Sequence, residues 1–569
     1  MRRSSFLLPL VMAVTALPPA QPASAQSILV RVTGGQPVAP LQGALVYLDD
    51  VRGPTIQSRL SDDVGRALFV GVPPGRYRVR AEMIGMATAE TGPFEVATGT
   101  SVPIDLPMES SAIVVEGIDV EADERCRVRP EEGLLVARVW DEARKALSAA
   151  AFTDRQELYR YETMRYQREL EMESKTILRE DRSRRGGYMR TPFESRPAED
   201  LAENGYVQDT PEGIYYFAPD ADVLLSDVFL DSHCFRLVAG RGDAAGLVGL
   251  GFEPTGDRRG VADIAGTLWI DPETSELRWL EFVYEHLDPD VRSSDLGGYV
   301  EFQRMPEGTW IVPEWWIRMP RLVRGRDFQG AQRSVLDGFR EVGGLVLDVR
   351  AGGRTLAGKQ TGGIEGLVLD SLGVRPVPQA RVGVVGSNQQ VFTDADGRFT
   401  IPGLAEGTYR VRFAHPSLED FGYVTEPIVQ EVFGGEMAQV EYRMASVGDA
   451  LFELCRGEAR PEGSVVVAGA VRDARNNRLI SGAVVRVEWQ TVRMADVHTE
   501  DARITGTDQH GFQTTTDAEG RYRFCAVPED ETISMTALHD GYGMEPDSVW
   551  LDRFVGGITH DLLLTAVRR

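Results

Sequence analysis

The chain of 569 residues is short of the residues that carry most metal and nucleophile chemistry. Its seven histidines are His233, His286, His415, His498, His510, His539 and His560, and none begins an H-E-x-x-H or H-x-x-E pattern. A zinc hydrolase helix is therefore not encoded. No G-x-S-x-G sequence supplies a nucleophile elbow, and no G-x-x-x-x-G-K-[ST] loop supplies a phosphate cradle. The four cysteines, Cys126, Cys234, Cys455 and Cys525, never approach a C-x2–4-C spacing, which excludes a thiolate zinc site. Beyond the first residues no apolar run reaches the roughly 18 to 20 positions needed to cross a bilayer as a helix. These absences predict a protein with no catalytic residues, no cofactor, no metal and no transmembrane helix.

Basic residues are also in deficit. Sixty-one Lys and Arg stand against 86 Asp and Glu, a formal charge of −25. Such a surface repels phosphate backbones, so nucleic acid is not an expected partner. The hydrophobic share of 42% is that of a globular chain, and the length suits three to five domains.

What is present begins with an export signal. Arg2 and Arg3 precede an apolar stretch from Phe6 to Leu17, and Ala23-Ser24-Ala25 supplies a small-x-small cleavage site. Residues 1–25 read as a signal peptide, with the mature chain beginning at Gln26. The expected location is the periplasm, the outer-membrane surface or the exterior. There, cysteine pairing is favoured. Of three connectivities, the two local pairs Cys126–Cys234 and Cys455–Cys525 are expected, with four buried thiols as the alternative.

The organising stretch is Thr393-Asp394-Ala395-Asp396-Gly397-Arg398-Phe399, followed by Gly407-Thr408-Tyr409-Arg410-Val411. Asp and Gly supply a tight turn, and alternating polar and apolar residues on each side supply half-buried strands. The pattern recurs at Ser61-Asp62-Asp63-Val64-Gly65-Arg66 with Gly75-Arg76-Tyr77-Arg78-Val79, and at Thr516-Asp517-Ala518-Glu519-Gly520-Arg521-Tyr522. In the third copy Asp530 stands where the second glycine is expected, and Asp tolerates a left-handed backbone. The pair Asp394-x-Asp396-Gly397 lacks the remaining carboxylates of a calcium loop and reads as a β-turn. Three copies with short strands between them predict a repeat-built, mainly β chain of sandwich modules.

These motifs resemble the carboxypeptidase regulatory-like domain, a transthyretin-like β-sandwich related to carbohydrate-binding-like folds. The resemblance rests on Gly43-Ala44-x-Val46, Asp63-x-Gly65 and Gly75-x-Tyr77-x-Val79. In the second copy it rests on Ile364 to Asp370 and Ala380-Arg381-Val382, and in the third on Gly469 to Asp473 and Gly482-Ala483-Val484-Val485. It implies an accessory module that scaffolds or binds, with glycan as one implied partner. The corresponding domains are 26–110, 363–445 and 463–569, the last with an insertion from Gln490 to Phe512 carrying His498 and His510. Linkers are expected at 111–125, 351–362 and 446–462.

Residues 126–350 differ. Leu135, Val136, Val139, Trp140, Ala143 and Leu147 recur at helical spacing. Tyr159 to Tyr166 and then six long alternating stretches between Gly246 and Val349 predict a helix against a curved antiparallel sheet. The phrase Gly266 to Asp271 with Leu277 to Phe282 resembles half-barrels of the lipoprotein-carrier (LolA-like) type. Ile113 to Val120 resembles the joint preceding plug domains of outer-membrane receptors, but the many membrane strands of such a barrel are missing.

The candidate binding residues are aromatic. Between Trp310 and Met319 both strand faces are apolar, with Trp310, Val312 and Trp316 on one and Ile311, Trp315, Ile317 and Met319 on the other. One face suffices for a core, so the second is a candidate wall for lipid or another apolar ligand, joined by Trp269 and Trp279. The expected function is a non-catalytic, exported binding or scaffold protein of a bacterial-type envelope. Its alternatives are a carbohydrate-binding protein or a lipid carrier, and other envelope proteins are expected partners.

Overall fold

A computed structural model describes residues 26–111, 127–128, 134–188, 193, 195–211, 213–289, 291, 293–326, 332–495, 503–552 and 556–566. The export signal, Cys126, Ile113 to Val120 and His498 lie outside the described residues.

All three repeat segments fold into sandwiches with one local plan. In each, a hydroxyl side chain just before the turn Asp staples two strands. Ser61 Oγ accepts from Ala44 N at 2.9 Å and donates to Leu41 O at 2.6 Å. Thr393 does the same with Ala380 and Val377, and Thr516 with Ala483 and Ile480. The neighbouring Asp accepts two backbone N–H bonds: Asp62 from Val64 and Arg66, Asp394 from Asp396 and Arg398, Asp517 from Glu519 and Arg521. Gly65, Gly397 and Gly520 then adopt φ of +73°, +73° and +74°, which L side chains resist. Asp530 takes the left-handed conformation expected of it, at φ +55°. The turn at Asp394 is a β-turn.

Each sandwich also closes by parallel pairing of its first and last strands. Ser27–Gly34 pairs with Ser101–Met108, Gly362–Leu369 with Met437–Arg443, and Ser464–Asp473 with Gly557–Thr559 and Leu562–Ala566. Alternation buries one face of the central strands. Val30, Val32, Phe69, Tyr77 and Val79 fill the first core, and Val465, Val467, Val485, Ile533 and Leu564 the third.

The middle region is a long helix, Leu134–Gln156, laid across an antiparallel sheet. The sheet runs in the order His233–Ala239, Val248–Pro254, Asp263–Ile270, Leu277–Glu285, Gly297–Glu301, Glu314–Arg326, Gln332–Ala351, Arg160–Leu170, Ile177–Tyr188. The helix buries Val139, Trp140, Ala143 and Leu147 against Phe235, Leu250, Leu268, Leu280 and Val300. Its polar side grips the first sandwich. Lys145 Nζ donates to Met86 O at 2.7 Å and Glu142 Oε1 at 2.8 Å, while Glu142 Oε2 accepts from Gly85 N at 2.8 Å.

Two expectations need correction. The sheet is not confined to the middle region: Ile177 pairs in parallel with Tyr409, joining it to the Gly407–Ala414 strand of the second sandwich. The spacers at 351–362 and 446–462 carry structure of their own. Arg354–Ala357 pairs back onto Gln332–Ala351, and a helix, Val447–Leu454, starts at a capping box of Ser446 and Asp449. The insertion after Gln490 is the far half of a hairpin, Val484–Ala495 with Arg503–Thr515. Cys455 and Cys525 are bonded to one another across 70 residues. Cys234 is likewise disulfide-bonded.

Candidate ligand-binding face of the middle sheet

The five tryptophans singled out in the sequence divide between two faces of the sheet, in a different way from the one their spacing suggests. Pro313 interrupts the stretch. Trp310–Ile311 pairs with Gln303–Arg304 in a separate ribbon, and the main strand resumes at Glu314. Trp310 is 1% exposed on the helix side, its backbone N–H donating to Thr153 Oγ1 at 3.2 Å. Trp315 also points to that core and packs on Phe193, ring centroids 5.2 Å apart. These two therefore belong to the helix-side core, and Trp269, 6% exposed, is buried on the other side of the sheet. Trp279 and Trp316 lie on that opposite face with it.

Strand register sets that face. Across neighbouring strands Gly251, Thr267, Glu281, Tyr299, Trp316 and Gly343 form one row of directly opposed residues. Gly249, Trp269, Trp279 and Glu301 form the next. Tyr299 and Trp316 lie with rings 13° from parallel and centroids 6.1 Å apart, and the Arg318 guanidinium sits 4.6 Å from the Trp316 ring. Trp269 tilts against Trp279 at 6.4 Å and donates its indole N–H to Glu281 Oε1 at 2.8 Å. Tyr299, Trp316 and Trp279 are half-buried, with the remainder open.

Two cavities adjoin this slab, and both are lined by Tyr299. One, of about 420 Å³, includes Arg236, Thr267, Glu281, Trp316 and Arg318. The other, of about 560 Å³, includes Trp279, Glu301, Arg304 and Lys359. Both fall in the size range of small-molecule sites, about 300–1,000 Å³.

The charged groups are held in place. Arg318 donates from Nε at 3.0 Å and Nη2 at 2.7 Å to Glu341 Oε2, and Glu341 Oε1 lies 3.5 Å from Arg168 Nη1. Arg168, itself buried, donates to Glu180 Oε2 at 2.6 Å and to the Tyr409 hydroxyl of the second sandwich at 3.1 Å. Beyond Tyr299, Lys359 Nζ meets Glu301 Oε2 and, at 3.1 Å, Glu314 Oε2. Burial pushes the Tyr299 hydroxyl up, and the charges of Glu301, Glu314, Glu281 and Glu406 push it further. Burial also raises Glu314, against the pull of Lys359. Burial works against the Lys359 charge, and Glu301 and Glu314 more than offset it.

Tyr299, Arg318 and Glu281 escaped the sequence reading. The alternation Gly298-Tyr299-Val300-Glu301 was the signal for Tyr299, but only register places it beside Trp316. Among the described residues no group of three or more His, Cys, Asp or Glu side chains is arranged to hold a metal ion, and no helix is long and apolar enough to cross a membrane.

Sandwiches on either side of a helix-backed sheet with a half-open aromatic face define a mainly β modular protein. Residues 27–109 and 363–428 match the family model of the carboxypeptidase regulatory-like domain, so the first two sandwiches are modules of that kind. Comparison with curated proteins finds no match.

Among solved structures, one match is the shaft pilin SpaA of Lactobacillus rhamnosus GG. It is 11% identical, covering 37% of this chain and 99% of that one, at a TM-score of 0.15. The Bacillus anthracis TIE protein is 14% identical, covering 63% and 64%, at 0.16. BcpA, the major pilin subunit of Bacillus cereus, is 8% identical, covering 95% and 100%, at 0.15. Scores this low carry no inference about assembly or activity. The likeness of the middle region to lipoprotein carriers gains no support from these matches.

Proposed function

We propose that the protein is an exported, non-catalytic binding and scaffold protein of a bacterial-type envelope, in which the sandwiches hold a ligand-binding sheet between them. The observation that carries this reading is the sheet face on which Tyr299 lines two cavities, with Trp316 and Arg318 beside it in one and Trp279 in the other. Aromatic rings left half-open beside ordered polar groups are costly to leave facing water and useful for gripping a ligand. The export signal supplies the compartment, and the regulatory-like modules supply the scaffold. The apolar-ligand alternative is the weaker one. The same face carries Glu281, Arg236 and Arg318, and an acyl chain would strip water from them without replacing their hydrogen bonds.

The test is native mass spectrometry of the chain from Gln26 onward, mixed with the small-molecule fraction of bacterial envelopes. A mass adduct that disappears in Trp316→Ala and persists in Trp550→Ala is the expected result. No adduct, or turnover of any component, overturns the reading.

A further inference from the structure

Separately from the aromatic face, we propose that the protein holds a phosphate-class dianion in a cavity lined by arginines, where the middle sheet meets the second sandwich. Three observations lead there.

The first is the cavity. It measures about 260 Å³ and is lined by Arg160, Arg184, Arg185 and Arg350, with Glu162 and Asp348 among them. Register builds it. Arg160 stands directly opposite Arg350 on one neighbouring strand and Tyr188 on the other, and the next row on the same face is Gly186, Glu162 and Asp348. Gly186 brings no side chain to that row, and a Cβ placed there would meet only Tyr161 O, at 3.8 Å. In the row after that, Arg184 stands beside Met164 and Leu345, which pack with Ala405 of the second sandwich. The four arginines are exposed, so a ligand can enter.

The second is a surplus of positive charge. Four guanidinium groups line the cavity against two carboxylates, in a chain whose net charge is −25. Glu162 lies 3.9 Å from Arg184, and Asp348 meets the Nε of Arg350. Among the described residues Arg160 and Arg185 have no ion-pair partner. Arg160 and Arg350 are also directly opposed across neighbouring strands, where like charges destabilise a sheet. An acidic chain has carboxylates enough to neutralise such a pair and does not do so here. An anion between the two turns repulsion into attraction.

The third is the kind of donor. A guanidinium presents a planar fork of N–H groups that matches phosphate oxygens two at a time, and it stays charged across the whole working range of pH. It has five N–H donors, and one carboxylate engages at most two, so Arg184 and Arg350 keep donors for a ligand. The surplus is two charges, which a monocarboxylate would only half cancel. A phosphomonoester carries about −1.5 to −2 at neutral pH on three acceptor oxygens, and so meets both requirements.

The experiment is calorimetric titration of the chain from Gln26 onward, at low salt, with inorganic phosphate, glycerol 3-phosphate and acetate. It is paired with sedimentation on phosphatidylcholine vesicles with and without phosphatidic acid. Variants are Arg160→Gln, Arg350→Gln, the cavity-filling Gly186→Leu, and Arg76→Gln as an exposed arginine on the first sandwich. Circular dichroism checks that each is folded. At least one phosphate probe is expected to bind about tenfold or more tighter than acetate. Arg160→Gln, Arg350→Gln and Gly186→Leu each weaken it about tenfold or more, and Arg76→Gln leaves it unchanged. Trp316→Ala also leaves it unchanged, which separates this site from the aromatic face. Added salt weakens binding, and so does lowering the pH below about 6, where a phosphomonoester loses its second charge. Arg160-dependent binding in solution identifies a soluble ligand, and Arg160-dependent binding to phosphatidic acid vesicles alone identifies a lipid headgroup; either supports the site. Absence of Arg160-dependent binding to all three phosphate probes overturns the proposal, as does acetate binding as tightly as phosphate or affinity that Gly186→Leu leaves intact.

Discussion

Arg168 and Glu341 face each other at 3.5 Å inside the protein, and through them the ligand face reaches the second sandwich. Glu341 spends its other oxygen on Arg318, and Arg168 touches the hydroxyl of Tyr409. The pair is almost wholly buried, with side chains 6% and 5% exposed. Removing one partner of a buried ion pair strands the other in low dielectric, which costs about 3–5 kcal/mol. Glu341→Ala is therefore expected to lower the melting temperature of the middle region markedly. It should also loosen Arg318 and weaken ligand affinity. Differential scanning calorimetry with titration of the same variant checks both. An unchanged thermal profile would show that the pair is not held as described.

Stability should fall as pH rises toward neutrality. Burial pushes the Asp154 carboxyl up to about 7, with the nearby charges of Asp222 and Asp220 adding to it. The folded state thus keeps a proton that the unfolded chain releases near pH 4. Its contribution is complete below about pH 4, is lost progressively as pH climbs, and is gone once pH passes about 7. Asp154→Asn is expected to flatten the acid-to-neutral slope and to be the more stable form above pH 7. Thermal melts between pH 4 and 8 for both proteins measure it; parallel curves would contradict the assignment.

Gly397 is expected to tolerate no side chain. Its φ is +73°, and an added Cβ would lie 2.6 Å from the Val368 carbonyl oxygen. Gly397→Ala should cost at least about 1–2 kcal/mol from the backbone conformation alone, with the clash on top. Urea unfolding followed by protease sensitivity of the second sandwich reads this. The same change at exposed Gly53, where an added Cβ meets nothing within 4 Å, is the control and should be nearly silent.

Cys455–Cys525 closes a loop of about 70 residues, linking the segment after the short helix Val447–Leu454 to the strand Arg521–Pro528. By the loop-entropy relation its removal costs about 4 kcal/mol. Cys455→Ala/Cys525→Ala should unfold the third sandwich at lower temperature and leave the first unchanged. Peptide mapping without reductant identifies the bridge directly, and two alkylatable thiols at these positions in the folded chain would refute it.

Much of the fold was legible in short-range chemistry. The Asp and Gly corners, the hydroxyl residue before each Asp and the alternating strands beside them act within a few residues, so sequence displays them. The helix over Val139, Trp140, Ala143 and Leu147 was legible for the same reason, since its period is local. The division of the tryptophans was not. A strict two-residue alternation carried through Val312 and Pro313 places Trp310 with Trp316, but Trp310–Ile311 belongs to a separate ribbon and the main-sheet strand begins only at Glu314. A break of that size reassigns every residue before it.

By itself, then, the amino-acid order determined the β-sandwich modules and the helix, because turns and periods are properties of neighbouring residues, while the bridge between Cys455 and Cys525, 70 residues apart, was an expectation that the fold made good. The tertiary structure alone decided that Tyr299 lies against Trp316, that Glu281 is pinned by Trp269, and that Ile177 ties the middle sheet to the second sandwich. Those relationships depend on strand register and on which strands meet, and register is fixed by the packing of the whole sheet rather than by any one stretch of chain.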